Sequence, residues 1–102
     1  FNVYPKEVEG EIDRIDGVVE SAVIGVPHPD FGEGVVAVVV PEDGARLDEE
    51  AVMAPLKERL ARFKQPKRIV FAPELPRNTM GKVQKAALRE AHAELFVDDA
   101  SR

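Results

Sequence analysis

From the amino end, apolar residues Val8, Ile12 and Ile15 recur at helical spacing behind Pro5, and Gly17 follows them. A proline in the first helical turn gives up no needed hydrogen bond and a glycine ends the run, so the spacing predicts an amphipathic helix between the two. The period then changes. Residues 21–26 and 35–40 are short β-branched runs separated by Pro27-His28-Pro29-Asp30-Phe31-Gly32-Glu33-Gly34, which reads as two strands joined by a turn-rich loop carrying His28. The second run is apolar on both faces, the pattern of a covered strand in the middle of a sheet.

Glu42-Asp43-Gly44 breaks that strand. Asp48 can cap a second helix, with Val52, Leu56, Leu60 and Phe63 on its inner face. Pro55 deletes a backbone bond inside this helix at a cost of about 3 kcal/mol, so a kink or a late helix start is expected near it. Residues 68–72 read as a third strand and 73–80 as an irregular polar loop, and Val83, Ala87, Leu88, Ala91 and Leu95 mark the apolar face of a final helix. The order helix, strand, strand, helix, strand, helix predicts an α+β domain, a small three-stranded sheet covered by about three helices. That domain is assigned to residues 1–96 and a frayed tail to residues 97–102. So small a sheet leaves little room for a deep private cavity, and any substrate pocket is expected to form against another domain.

Composition narrows the class. A chain of 102 residues has room for one core. It contains no cysteine, which excludes a disulfide framework and a Cys-rich zinc site. With His28 and His92 as its only histidines, no metal site is expected. The apolar run 35–40 is far below the roughly 20 residues of a membrane span, so no membrane association is expected and a cytoplasmic location is the default. The opening Phe1-Asn2-Val3-Tyr4 looks like a cut through a longer chain. A net charge of −5 argues against nucleic acid as a partner. The charge is unevenly spread, however. Glu7, Glu9 and Glu11 read as a polar helix face, or as carboxylates for a missing domain, while basic residues gather between Lys57 and Arg89.

Gly81-Lys82 invites comparison with a phosphate-cradling P-loop, but the required first glycine is Pro76 and the required Ser or Thr is Val83. A lysine at the end of a loop containing Pro, Asn, Thr and Gly can deliver a movable positive charge to phosphate or carboxylate oxygens. It can equally be one more surface lysine, and composition and spacing leave both readings open.

Pro76-Arg77-Asn78-Thr79-Met80-Gly81-Lys82-Val83-Gln84-Lys85 resembles the closing motif of the adenylate-forming superfamily of acyl-CoA synthetases, luciferases and peptide-synthetase adenylation domains. Phe1-Asn2-Val3-Tyr4-Pro5-Lys6-Glu7-Val8-Glu9, Gly25-Val26-Pro27-His28-Pro29-Asp30 and Phe63-Lys64-Gln65-Pro66-Lys67 resemble further segments of that family in the same order. The first and last segments look nearest to malonyl- and methylmalonyl-CoA synthetases. The resemblance implies a mobile C-terminal lid domain of an ATP-dependent, AMP-forming carboxylate-CoA ligase, inert without its own N-terminal domain. That domain would hold most of the ATP and Mg2+ contacts. The resemblance also implies that Lys82 meets the substrate carboxylate and the α-phosphate during adenylation, on a loop supported by Thr79 and Gly81. Asn2 and Tyr4 would approach the acyl-adenylate after a rotation, and Phe63 and Lys67 would meet CoA, although Gln65 departs from the arginine of some members. It further implies that Lys82 is a target of a lysine acetyltransferase and deacetylase, which would remove its charge. A stand-alone module that binds a nucleotide or protein without catalysis is the competing expectation.

Overall fold

The computed structural model describes residues 3–97. Asn2 and residues 98–102 of the expected tail lie outside them. The elements are α1 (Pro5–Asp13), β1 (Val18–His28), β2 (Gly32–Pro41), α2 (Glu49–Arg59), a single 3-10 turn (Arg62–Lys64), β3 (Arg68–Phe71) and α3 (Lys85–Ala91). The sheet order is β1-β2-β3, with β2 antiparallel to β1 and parallel to β3. The doubly apolar run is thus the central strand, as its pattern predicts, and the domain is α+β.

Alternation along β2 sorts the core into two layers. Ala37 and Val39 face Val8 and Ile12 of α1 and Val52 and Leu56 of α2, all fully buried. Val36, Val38 and Val40 point the other way, toward Leu75, Leu88 of α3 and Phe96. Two helices therefore cover one face of the sheet, and α3 with the segments around it covers the other.

Four expectations are corrected. First, β1 continues through Pro27 to His28, and the turn shrinks to the residues between His28 and its partner Gly32. A proline is tolerated there because β1 is an edge strand, where a missing N–H leaves no ladder bond unmade. His28 is consequently in a strand and buried between the rings of Phe31 and Phe96, whose centroids lie 4.7 and 4.8 Å away.

Second, α2 starts at Glu49 and runs through Pro55, so there is no late start. Asp48 Oδ1 accepts the Ala51 N–H at 2.8 Å, and Glu49, Glu50, Lys57 and Arg59 complement the helix dipole at the two ends. Together with buried Val52 and Leu56 these offset the bond that proline removes. Third, the helix ends at Leu60 in extended backbone (φ −122°, ψ 140°), so Phe63 leaves its apolar face and sits 48% exposed in the 3-10 turn. Fourth, α3 begins only at Lys85. Val83 is held beforehand in an isolated antiparallel bridge with Arg77, and Leu95 follows the helix in turns.

Candidate functional site

The segment expected to be an irregular loop is an ordered, two-armed turn. Buried Leu75 anchors its start in the core, and Arg77 and Val83 pair as its two arms. The Gln84 N–H donates to Pro76 O at 2.8 Å, the Asn78 N–H to Lys82 O at 3.0 Å and the Gly81 N–H to Asn78 O at 2.9 Å. Asn78 organises the tip. Its Oδ1 accepts the Met80 N–H at 3.0 Å and the Lys82 N–H at 2.9 Å, the local bonding for which asparagine is favoured in turns. Gly81 sits at φ +83°, in the left-handed region that glycine enters without steric cost.

Lys82 therefore leaves a backbone fixed on both sides while its own side chain is exposed. Among the described residues no carboxylate pairs with its ammonium. Thr79 is exposed at the tip beside Met80, itself 89% exposed. A cation on a rigid stem, with no competing counter-ion among the described residues, is available to an external anion.

The neighbouring cations are engaged. The Arg77 guanidinium donates to Gly81 O at 2.6 Å and pairs with Glu20 of β1. Lys85 pairs at 2.7 Å with Glu9 of α1, whose same oxygen accepts the Val23 N–H of β1 at 2.8 Å. Glu7 pairs with Lys64 and Glu11 with Arg14, so Glu7, Glu9 and Glu11 of α1 each find a partner within this chain. Close by, burial pushes the Asp13 carboxyl above its ordinary value; the Ser21 hydroxyl at 2.8 Å pulls it down, and Glu9 and Glu20 push it further up.

The residues expected at CoA lie elsewhere. Phe63 is half exposed, with Lys64 Nζ 5.7 Å from its ring centroid. Lys67 Nζ rests 4.0 Å above the ring of Phe31, and the Lys67 N–H donates to Val35 O at 2.8 Å. Lys67, Arg62, Arg68 and His28 line an open cleft of about 560 Å³. Gln65 spends its amide on Leu60 O at 3.0 Å, closing the end of α2.

Register separates the two regions. Glu20, which holds the lysine loop, pairs with Val40, whereas Arg68, next to Lys67, pairs with Val36. Four residues of strand put them roughly 13 Å apart along β2. Tyr4, the N-cap of α1, is 63% exposed. Beside it a cleft of about 460 Å³ runs along the edge of β1, lined by Val3, Pro5, Gly25, Phe31 and Arg89. Glu33 lies across Gly25, where any side chain would displace it.

Of the expected site residues, the structure gathers Thr79, Gly81 and Lys82 in one turn and places Tyr4 at the N-cap of α1, Phe63 in the 3-10 turn and Lys67 just before β3. Sequence reasoning missed the organising roles of Asn78, Arg77, Glu20 and Glu9. An asparagine two residues ahead of Met80 was a visible turn signal; the carboxylates, distant in sequence, carried none. Among the described residues no cluster of three or more acidic, His or Cys side chains could hold a metal, and no helix is long and apolar enough to cross a membrane.

Comparison with known proteins finds relatives along most of the chain. The AMP-binding enzyme C-terminal domain family matches residues 7–82. A methyl-dioxo-octahydro-indenyl propanoyl:CoA ligase of Rhodococcus jostii (strain RHA1) is 56% identical over 90 residues, which are 88% of this chain and 18% of the ligase. Apo MatB from Rhodopseudomonas palustris superposes with a TM-score of 0.92 at 62% identity, and ATP-bound MatB with 0.92 at 61%. Both alignments cover 94% of this chain and 19% of MatB. The chain thus spans about a fifth of the length of these relatives.

Proposed function

The chain belongs to the AMP-binding enzyme C-terminal domain family, and from that membership we propose that it is the lysine-bearing lid of an ATP-dependent, AMP-forming carboxylate-CoA ligase. The observation that carries this reading is Lys82: exposed, unpaired among the described residues, and presented by a backbone that Asn78 and Gly81 hold in place. The similarity to CoA ligases over 88% of the chain supports the reaction class.

In this reading Lys82 supplies a fixed cation where charge is redistributed as the carboxylate attacks the α-phosphorus and pyrophosphate leaves. Donors aimed at developing charge in a site closed to water are worth more than water itself. ATP, with Mg2+, and the acyl group would be held mainly by the N-terminal domain. The offset of about 13 Å along β2 between Glu20, which holds the lysine loop, and Arg68, next to Lys67, supports a rotation between half-reactions, one presenting Lys82 and the other presenting CoA to Phe63 and Lys67, with Tyr4 and the cleft beside it turned toward the thiol. Acetylation of Lys82 would remove the charge and with it the first half-reaction, and the exposure of Lys82 makes it accessible to an acetyltransferase and a deacetylase.

For the substrate we propose a small dicarboxylate, malonate or methylmalonate. The support is the resemblance of the first and last segments to malonyl- and methylmalonyl-CoA synthetases and the 62% identity to MatB. The test is ATP/pyrophosphate exchange in the ligase formed by joining the chain to its own upstream sequence. Exchange that depends on malonate or methylmalonate, and is absent from the isolated chain, is expected. Exchange driven only by aromatic or long-chain acids would overturn the substrate, and no exchange with any acid would overturn the reaction.

A further inference from the structure

We propose that Glu20 is a positioning residue for Lys82, acting through Arg77; the inference rests on the reading of Lys82 as the adenylation lysine. Gly81 O is the carbonyl of the peptide bond that leads into Lys82. Arg77 donates to it at 2.6 Å with one guanidinium nitrogen and pairs with Glu20 of β1 through the other. The planar fork of arginine can span two acceptors in this way; a lysine, a point charge, cannot. Glu20 and Arg77 are both only partly exposed, at 30% and 43% of their side chains. On the other arm of the loop Lys85 is tied to Glu9, and Glu9 to the Val23 backbone of the same strand. Both arms of the turn are therefore fastened by carboxylates to the sheet edge and α1, and Lys82 lies between the fastenings with its ammonium unpaired among the described residues.

Charge economy gives the arrangement a second effect. Glu9, Asp13 and Glu20 are close enough for the first and last to raise the Asp13 carboxyl. An acidic group of this kind beside a free lysine would compete with substrate for its ammonium. Arg77 pairs with Glu20 and Lys85 with Glu9, so the cations flanking Lys82 occupy two of these carboxylates. Half-exposed ion pairs contribute little to stability, so the consequence of losing Glu20 falls on geometry. A displacement of about 1 Å at a reacting group can cost about a hundredfold in rate.

The test uses the whole ligase with Glu20→Gln, Arg77→Met, the double variant and Lys82→Ala, scoring ATP/pyrophosphate exchange and, separately, CoA transfer from preformed acyl-adenylate. Glu20→Gln, an isosteric change, is expected to lower kcat of exchange about tenfold with little change in KM for ATP or carboxylate, and to leave CoA transfer and Tm near the parent values. Because Glu20 acts through Arg77, the double variant should be no slower than Arg77→Met alone. Equal losses in both half-reactions, additive losses in the double variant, or parent-like exchange in Glu20→Gln would each overturn the proposal. If Lys82→Ala also exchanges normally, it is the adenylation reading that fails; if Lys82→Ala is inactive while Glu20→Gln is not, only the positioning role falls.

Discussion

Replacing Gly81 by alanine separates the backbone of the lysine loop from its charges. A Cβ at position 81 would meet nothing within 4 Å, so no clash accompanies the substitution. What changes is the torsion: φ is +83°, and an L-residue there costs about 1–2 kcal/mol. Alanine also stiffens the opened loop, which returns a few tenths of a kcal/mol to about 1 kcal/mol. The net of about 1 kcal/mol corresponds to a fall of about fivefold in the ratio of closed to open loop. The sensitive reporters are the Gly81 N–H, bonded to Asn78 O, and the Lys82 N–H, bonded to Asn78 Oδ1. Amide exchange followed by NMR reads that ratio directly where opening is local. Protection of residues 81 and 82 should drop about fivefold, while protected amides of the central strand, such as that of Val38, stay at the parent value. Unchanged protection at residue 82 would refute the argument that the glycine holds the turn, and an equal drop in β2 would show that the loop is not a local unit.

Other consequences are more direct. Leu56 is fully buried between α2 and the sheet, and Leu56→Ala should cost about 2–5 kcal/mol, seen as a lower urea midpoint at unchanged slope. Burial raises the Asp13 carboxyl in the folded domain above its usual 3.8, so its contribution is fully present below the unfolded value and lost as pH rises through the folded one. Asp13→Asn should accordingly gain on the parent as urea midpoints are compared from about pH 3 to about pH 6, and a difference that stays constant would contradict the assignment. Phe63→Ala should raise KM for CoA in the whole ligase about tenfold, the worth of a lost base-stacking surface, with pyrophosphate exchange unaffected; unchanged KM would remove Phe63 from the CoA site.

Much of the fold was legible because its signals are local. The central strand announced itself by β-branched residues on both faces, α1 by Pro5 and its apolar spacing, and α2 by Asp48. What failed were boundaries decided by tertiary context. Pro27 looked like a strand breaker and is not one, because β1 lies at the sheet edge; Pro55 pointed to a kink or a late helix start, and the late start does not occur, because Asp48 caps the helix ahead of it and Val52 and Leu56 bury its face. Phe63 fits a helical period that ends at Leu60. At the site, the motif pointed to Lys82, Gly81 and Thr79. The residues that hold the loop, Glu20 and Glu9, lie 57 and 76 positions from the cations they bind, and no periodicity connects them.

On the proposed reading, Lys82 supplies charge to the first half-reaction and not to the second. The most direct measurement compares Lys82→Ala with the parent ligase in pyrophosphate exchange and in CoA transfer from preformed malonyl-adenylate. A loss of about a hundredfold to a thousandfold in exchange, with transfer retained, is the predicted result. Equal rates of exchange in the two proteins would make Lys82 an ordinary surface residue with no part in adenylation.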